Sequence, residues 1–152
     1  MDEAAETALQ LVTAQLVAVA GVIHLWDSVP RLVTYWEAGA TPDPLAPLSA
    51  LFVLGLVAGL LAFVLGARRD LVYLYGALLM VGPLVGYVAW HFVGDLGGLL
   101  PGAFGHTHGG PFLAGLSEHM VADPVDFVSK VAELGALVCL SALFVIERGK
   151  RG

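Results

Sequence analysis

The chain of 152 residues is 58% hydrophobic and only 13% charged, with a mean hydropathy of +0.83, whereas an average soluble domain carries roughly 25% charged residues. Thirteen acidic against seven basic residues give a net charge of -6, which excludes the basic surface a nucleic-acid partner requires. This is a membrane composition, and four apolar runs in so short a chain leave room for one bundle and no separate soluble domain.

The first run, about residues 8–26, is long enough to cross ~30 Å of hydrocarbon as a helix. Ala18, Val19 and Ala20 have the small size found at signal cleavage sites. A secretory signal needs a positively charged start, however, and here Asp2, Glu3 and Glu6 stand there, so a retained helix is expected. Residues 27–37 are mixed in polarity and include Tyr35 and Trp36, which predicts a short helix lying in the membrane interface. An irregular loop carrying Pro42, Pro44 and Pro47 follows.

The second and third spans, about 48–65 and 71–93, are joined by a few residues and form an antiparallel hairpin. Gly55 and Gly59 in one, and Gly82 and Gly86 in the other, stand four apart and leave grooves where another backbone can approach. The fourth span, about 124–146, opens on Asp123, Pro124 and Asp126, which read as an N-cap, a proline at the first helical position and an acid in the first turn. The expected fold is therefore all-α: an integral membrane four-helix bundle, one domain over 1–152, with a short interfacial helix and a long outer loop between helices 3 and 4. Cys139 lies in an apolar run and, as the single cysteine, forms no intramolecular disulfide and fills space as a small apolar group.

Basic residues set the orientation. Arg68 and Arg69 lie between the second and third spans, and Arg148, Lys150 and Arg151 follow the fourth, so five of the seven positive charges fall on the side that the positive-inside rule places in the cytoplasm. Both termini are then cytoplasmic in a multi-pass protein of the cell membrane, and Trp26, Trp36 and Trp90 gather at the outer interface. Its partners are the lipid bilayer and either further copies of itself or a larger membrane complex.

With that topology all five histidines lie toward the outer face. His106 and His108, two residues apart in a glycine-rich stretch, would point the same way from an extended backbone and reach one ion together. His119 is a third donor, and His91, Asp95 and Glu118 add nitrogen and oxygen nearby, a set suited to copper or zinc. The alternative for these loop histidines is simple solvation. His24 and His91 sit at similar depth on two helices, where two imidazoles could hold a haem iron axially, or each could hydrogen-bond at the interface beside Trp26 or Trp90.

Glu133 lies deep in the fourth span, where a carboxylate costs several kcal/mol unless paired, protonated or wet. Asp126, Lys130 and Glu133 share one helix face, which suggests an internal ion pair or, alternatively, a proton or cation relay continued by Gln10, Thr13 or Gln15. Neither a phosphate-binding loop nor a nucleophile motif is present, and Ser49 and Ser129 have no distinctive catalytic surroundings.

At Ala20-Gly21-Val22-Ile23-His24-Leu25, together with the later helix that opens on an acid and carries Glu133, the chain resembles small four-helix membrane proteins of the broad DoxX-like kind. The resemblance covers the order of the helices and these scattered residues. Some members of that group look like subunits of respiratory or thiol-quinone oxidoreductases, so it implies an accessory redox role. No site residue carries over, because the histidine-rich connection matches no pattern of the group. The leading functional expectation is a transition-metal site at the histidine-rich outer face. A bis-histidine haem carrier and a cofactor-free structural or partner-binding subunit stand beside it.

Overall fold

The computed structural model describes residues 2–39, 45–93 and 122–151, and these form four α-helices: α1 Glu3–Ala38, α2 Leu45–Val64, α3 Arg69–Val93 and α4 Pro124–Gly149. All four are long and apolar enough to cross a membrane. Asp2 caps α1 by accepting the Ala5 N–H at 2.8 Å, and Glu3 and Glu6 place negative charge at the positive end of the helix dipole. Asp123 does the same for α4, accepting from the N–H groups of Val125 and Asp126 with Pro124 in the first turn. Gly39 ends α1 in the left-handed region at φ 62°, and Gly66, at φ 80°, turns the chain between α2 and α3. Both conformations are open to glycine without a Cβ penalty.

The expected interfacial helix over 27–37 is not a separate element, and this corrects the sequence reading. Those residues continue α1 through Pro30, making one helix of 36 residues, roughly 54 Å at 1.5 Å per residue. Proline removes one backbone donor and crowds the carbonyl four residues earlier, but local bonds hold the turns on either side. Ser28 Oγ donates to the Leu25 carbonyl at 3.5 Å, Thr34 Oγ1 donates to the Pro30 carbonyl at 2.9 Å, and Arg31 pairs with Asp27 at 2.8 Å. The change of polarity after Trp26 does not end the helix. A smaller shift occurs at α2, which starts at Leu45 and takes Pro47 into its first turn, where a missing N–H leaves no intrahelical bond unmade. The predicted outer loop between the third and fourth helices lies outside the described residues.

Each helix packs against its two neighbours in chain order, and α4 closes the ring on α1, giving an up-and-down bundle. Its core is Phe52, Tyr73, Ala77, Met80, Ala136, Leu140 and Leu143, flanked by Leu16, Val17 and Leu56. Small residues set the close approaches. A Cβ at Gly55 would meet Leu79 at 3.0 Å and the Tyr75 hydroxyl at 3.1 Å, and one at Gly59 would meet the Tyr75 ring at 3.2 Å. Thus the α2 glycine groove seats α3. The second predicted groove does not work in this way: a Cβ at Gly82 or Gly86 meets nothing within 4 Å, because that strip of α3 faces away from its neighbours.

The start of α1 and the end of α4 lie at one end of the bundle, together with the α2–α3 turn. Lys150 Nζ reaches the Glu6 carboxylate at 2.6 and 2.7 Å. Arg151 reaches Asp70 at 3.2 Å, and Arg68 grips the same Asp70 at 2.8 Å. Glu147 completes the group, 3.5 Å from Lys150 and 3.8 Å from Arg151. These six side chains form a clasp over the ends of α1, α3 and α4.

Candidate functional site: a buried carboxylate between two cations

Glu133 is fully buried, with 0% of its surface exposed. The site is built around it by three helices. On α4, Ser129 one turn earlier donates its hydroxyl to Oε1 at 2.8 Å. Lys130, on the same face by its three-residue spacing, donates to Oε1 at 2.8 Å and Oε2 at 2.7 Å. From α1, His24 Nε2 lies 2.9 Å from Oε1. From α2, Ser49 Oγ lies 3.4 Å from the other imidazole nitrogen, Nδ1, and the Phe52 ring meets the imidazole edge-on at 4.6 Å. The fourth helix closes the site through Tyr87, whose ring lies 5.2 Å from the Lys130 ammonium, a cation–π distance.

Geometry fixes the hydrogen-bond directions. A carboxylate accepts only, so Nε2 carries a proton toward Glu133. In a neutral imidazole Nδ1 is then the acceptor, and the Ser49 hydroxyl donates to it. If His24 takes up a second proton, Nδ1 becomes a donor and Ser49 must turn to accept. Charge balance is equally plain: Lys130 already neutralises Glu133, so protonated His24 changes the buried cluster from net zero to +1.

Hydroxyl, imidazole and carboxylate stand here in the order of a hydrolytic triad, but the arrangement is poorly suited to that chemistry. The Lys130 ammonium cancels the carboxylate charge that would have to stabilise an imidazolium, and 3.4 Å is long for activating a hydroxyl.

Toward the clasp the site is walled off. The next buried polar side chain on α1 is Thr13, eleven residues or ~16 Å from His24 along the helix, and its hydroxyl is bound to its own helix at Leu9. The buried side chains between are Ala20, Met80, Ala136 and Leu140. Gln10 donates to the Tyr73 hydroxyl at 3.2 Å, close to the clasp, and Gln15 is exposed. Within the cluster, His24 and Lys130 keep side-chain exposures of 16% and 12%.

Sequence reading singled out Lys130, Glu133 and His24 but paired His24 with His91. It missed Ser49 and Ser129. Counting from the basic and acidic ends was the available signal: His24 stands eighteen residues from Glu6 and Glu133 seventeen from Lys150, the pair that joins the two helix ends. The side chain of His91, and the whole of Asp95, His106, His108, Glu118 and His119, lie outside the described residues. Among the described residues no three histidine, cysteine, aspartate or glutamate side chains converge on a common point. No family model, curated protein or solved structure matches the chain, so the DoxX-like resemblance rests on the residues quoted for it.

Proposed function

We propose that this is a multi-pass membrane protein, termini inside, whose working site is the Lys130–Glu133–His24 cluster, and that the cluster exchanges a proton with the outer side only. The observation that supports this reading is the presence of His24 on a carboxylate that does not need it. Lys130 and Ser129 already give Glu133 charge balance and hydrogen bonds, and an ion pair serving structure alone would stop there. The added group is an imidazole, whose second nitrogen faces the Ser49 hydroxyl and can be acceptor or donor there. Ionisable groups within membrane bundles mark ion and proton sites, and the apolar wall toward the clasp argues for a one-sided site rather than a conduit.

The test is proton uptake by purified protein in lipid vesicles. Acidifying the medium should load one more proton on the wild type than on His24→Gln. In vesicles with the termini inside, an external pH jump should load it promptly. Equal uptake by the two proteins would reject the reading, and loading from the lumenal side alone would reverse its sidedness.

A second reading keeps the histidine-rich connection as a copper or zinc site, since the bundle topology starts and ends that connection at the same end as His24. Metal analysis of untagged protein, with and without His106→Ala and His108→Ala, tests it. Metal content that does not fall in the double variant removes the pair from any site. A Soret band in the same sample would turn attention to a haem on His24 and His91.

A further inference from the structure

Among the described residues, helix α1 carries a surface that no neighbouring helix covers. Val22, Trp26, Val29, Val33 and Trp36 are all exposed, the two tryptophans at 80% and 88%. Their spacings are four, three, four and three residues, the repeat of a left-handed two-helix seam. At 3.6 residues per turn they fall within an arc of about 80°, while Asp27, Arg31 and Thr34 occupy the opposite side. Leu32 and Tyr35, half-buried, face the bundle.

Lipid accounts for only part of this seam. From Glu6 in the clasp to Trp26 is twenty residues, ~30 Å, the whole hydrocarbon thickness. Val29 to Trp36 then stand ~5–15 Å beyond it, and the polar interface adds only ~5–7 Å on each side. Val33 and Trp36 therefore lie beyond the reach of acyl chains on a helix running along the membrane normal.

We propose that the seam from Val22 to Trp36 is the interface of a parallel, two-fold symmetric dimer in which α1 of one copy packs on α1 of another. Such an interface is self-complementary, so each seam residue meets its own counterpart. Its size is adequate: the two indoles offer ~250–400 Å², and with the three valines each copy contributes roughly 500–600 Å², above half of the ~1,000 Å² total that a specific interface needs. The proposal is independent of any role for Glu133.

Cysteine scanning of the full chain in membranes tests it. Cys139 is the only native cysteine, so in a Cys139→Ser background single cysteines are placed at Val29, Val33 and Trp36, and at Arg31 and Thr34 as controls. Mild oxidation should link the first three into dimers at least several-fold more than the controls. Adding Trp36→Arg should abolish the link at position 33. Absence of linked dimers at every position, as lipid or another part of the chain covering the seam would give, overturns the proposal. So does equal linking at Thr34 and Val33.

Discussion

The molecule holds two groups of charged side chains that look alike on paper and differ physically. At the termini, the clasp joins Glu6, Asp70 and Glu147 to Arg68, Lys150 and Arg151, with the three cations 41–61% exposed. In the bundle interior, a single carboxylate at 0% exposure is shared by Lys130, His24 and Ser129. Water and salt screen the first group, so each of its pairs contributes little. The second is far less exposed, with Glu133 itself at 0%, so its members depend on one another: loss of one partner strands a charge in the interior. The clasp is suited to fixing which helix ends meet, and the interior cluster to a mutual dependence among its members.

The largest expected effect follows from breaking the interior pair. Lys130→Met should destabilise the bundle by about 3–5 kcal/mol, the usual cost of leaving one buried ion unpaired, as read from denaturant unfolding in bicelles. Lys130→Met combined with Glu133→Leu should recover much of that loss, because the stranded charge goes with its partner. A double variant as unstable as the sum of the singles would show that the residues do not act as a pair. His24→Gln, which leaves the Lys130 pair intact, should cost less than Lys130→Met. If it costs as much, His24 is a structural member of the cluster, and the distinction drawn above between Lys130 and His24 fails.

How much of this could be read from residues alone depends on the range of the interaction. Lys130 and Glu133 were legible because a three-residue spacing on a helix is a local rule, as were the Asp123 cap and its proline. The meeting of His24 with Glu133 is 109 residues apart in sequence and was not, since it is set by how α1 and α4 slide against each other. Gly135 lies at that contact, where a Cβ would meet the end of the Leu16 side chain at 3.0 Å. Pro30 misled for a different reason. Proline and a polarity change ordinarily signal a helix end, but side chains of Ser28, Thr34, Asp27 and Arg31 provide bonds that sustain the helix through it. The glycine pairs show the limit of pattern: Gly55–Gly59 and Gly82–Gly86 share one spacing, yet only the first faces a neighbouring helix.

The smallest effect is expected at the clasp, and its dependence on salt and pH separates it from the interior. Glu6→Gln removes the partner that Lys150 holds at 2.6 Å and should lower stability far less than Lys130→Met. The difference from wild type should fade at about 1 M salt, where the Debye length has shrunk to about 3 Å, while the cost of Lys130→Met stays. The hydrogen bond that Lys150 donates to Glu6 holds its ammonium above the ordinary lysine value. A group raised on folding contributes stability that is fully present below its unfolded value, about 10.4 for lysine, and is lost as pH rises through the higher folded value. From the lysine side, then, the clasp contributes a constant amount between about pH 6 and pH 9, and a change in stability over that window that disappears in His24→Gln belongs to the interior. Were it to disappear in Glu6→Gln instead, the proton-sensitive element would be the clasp, and the division of labour between the two charged groups would have to be reversed.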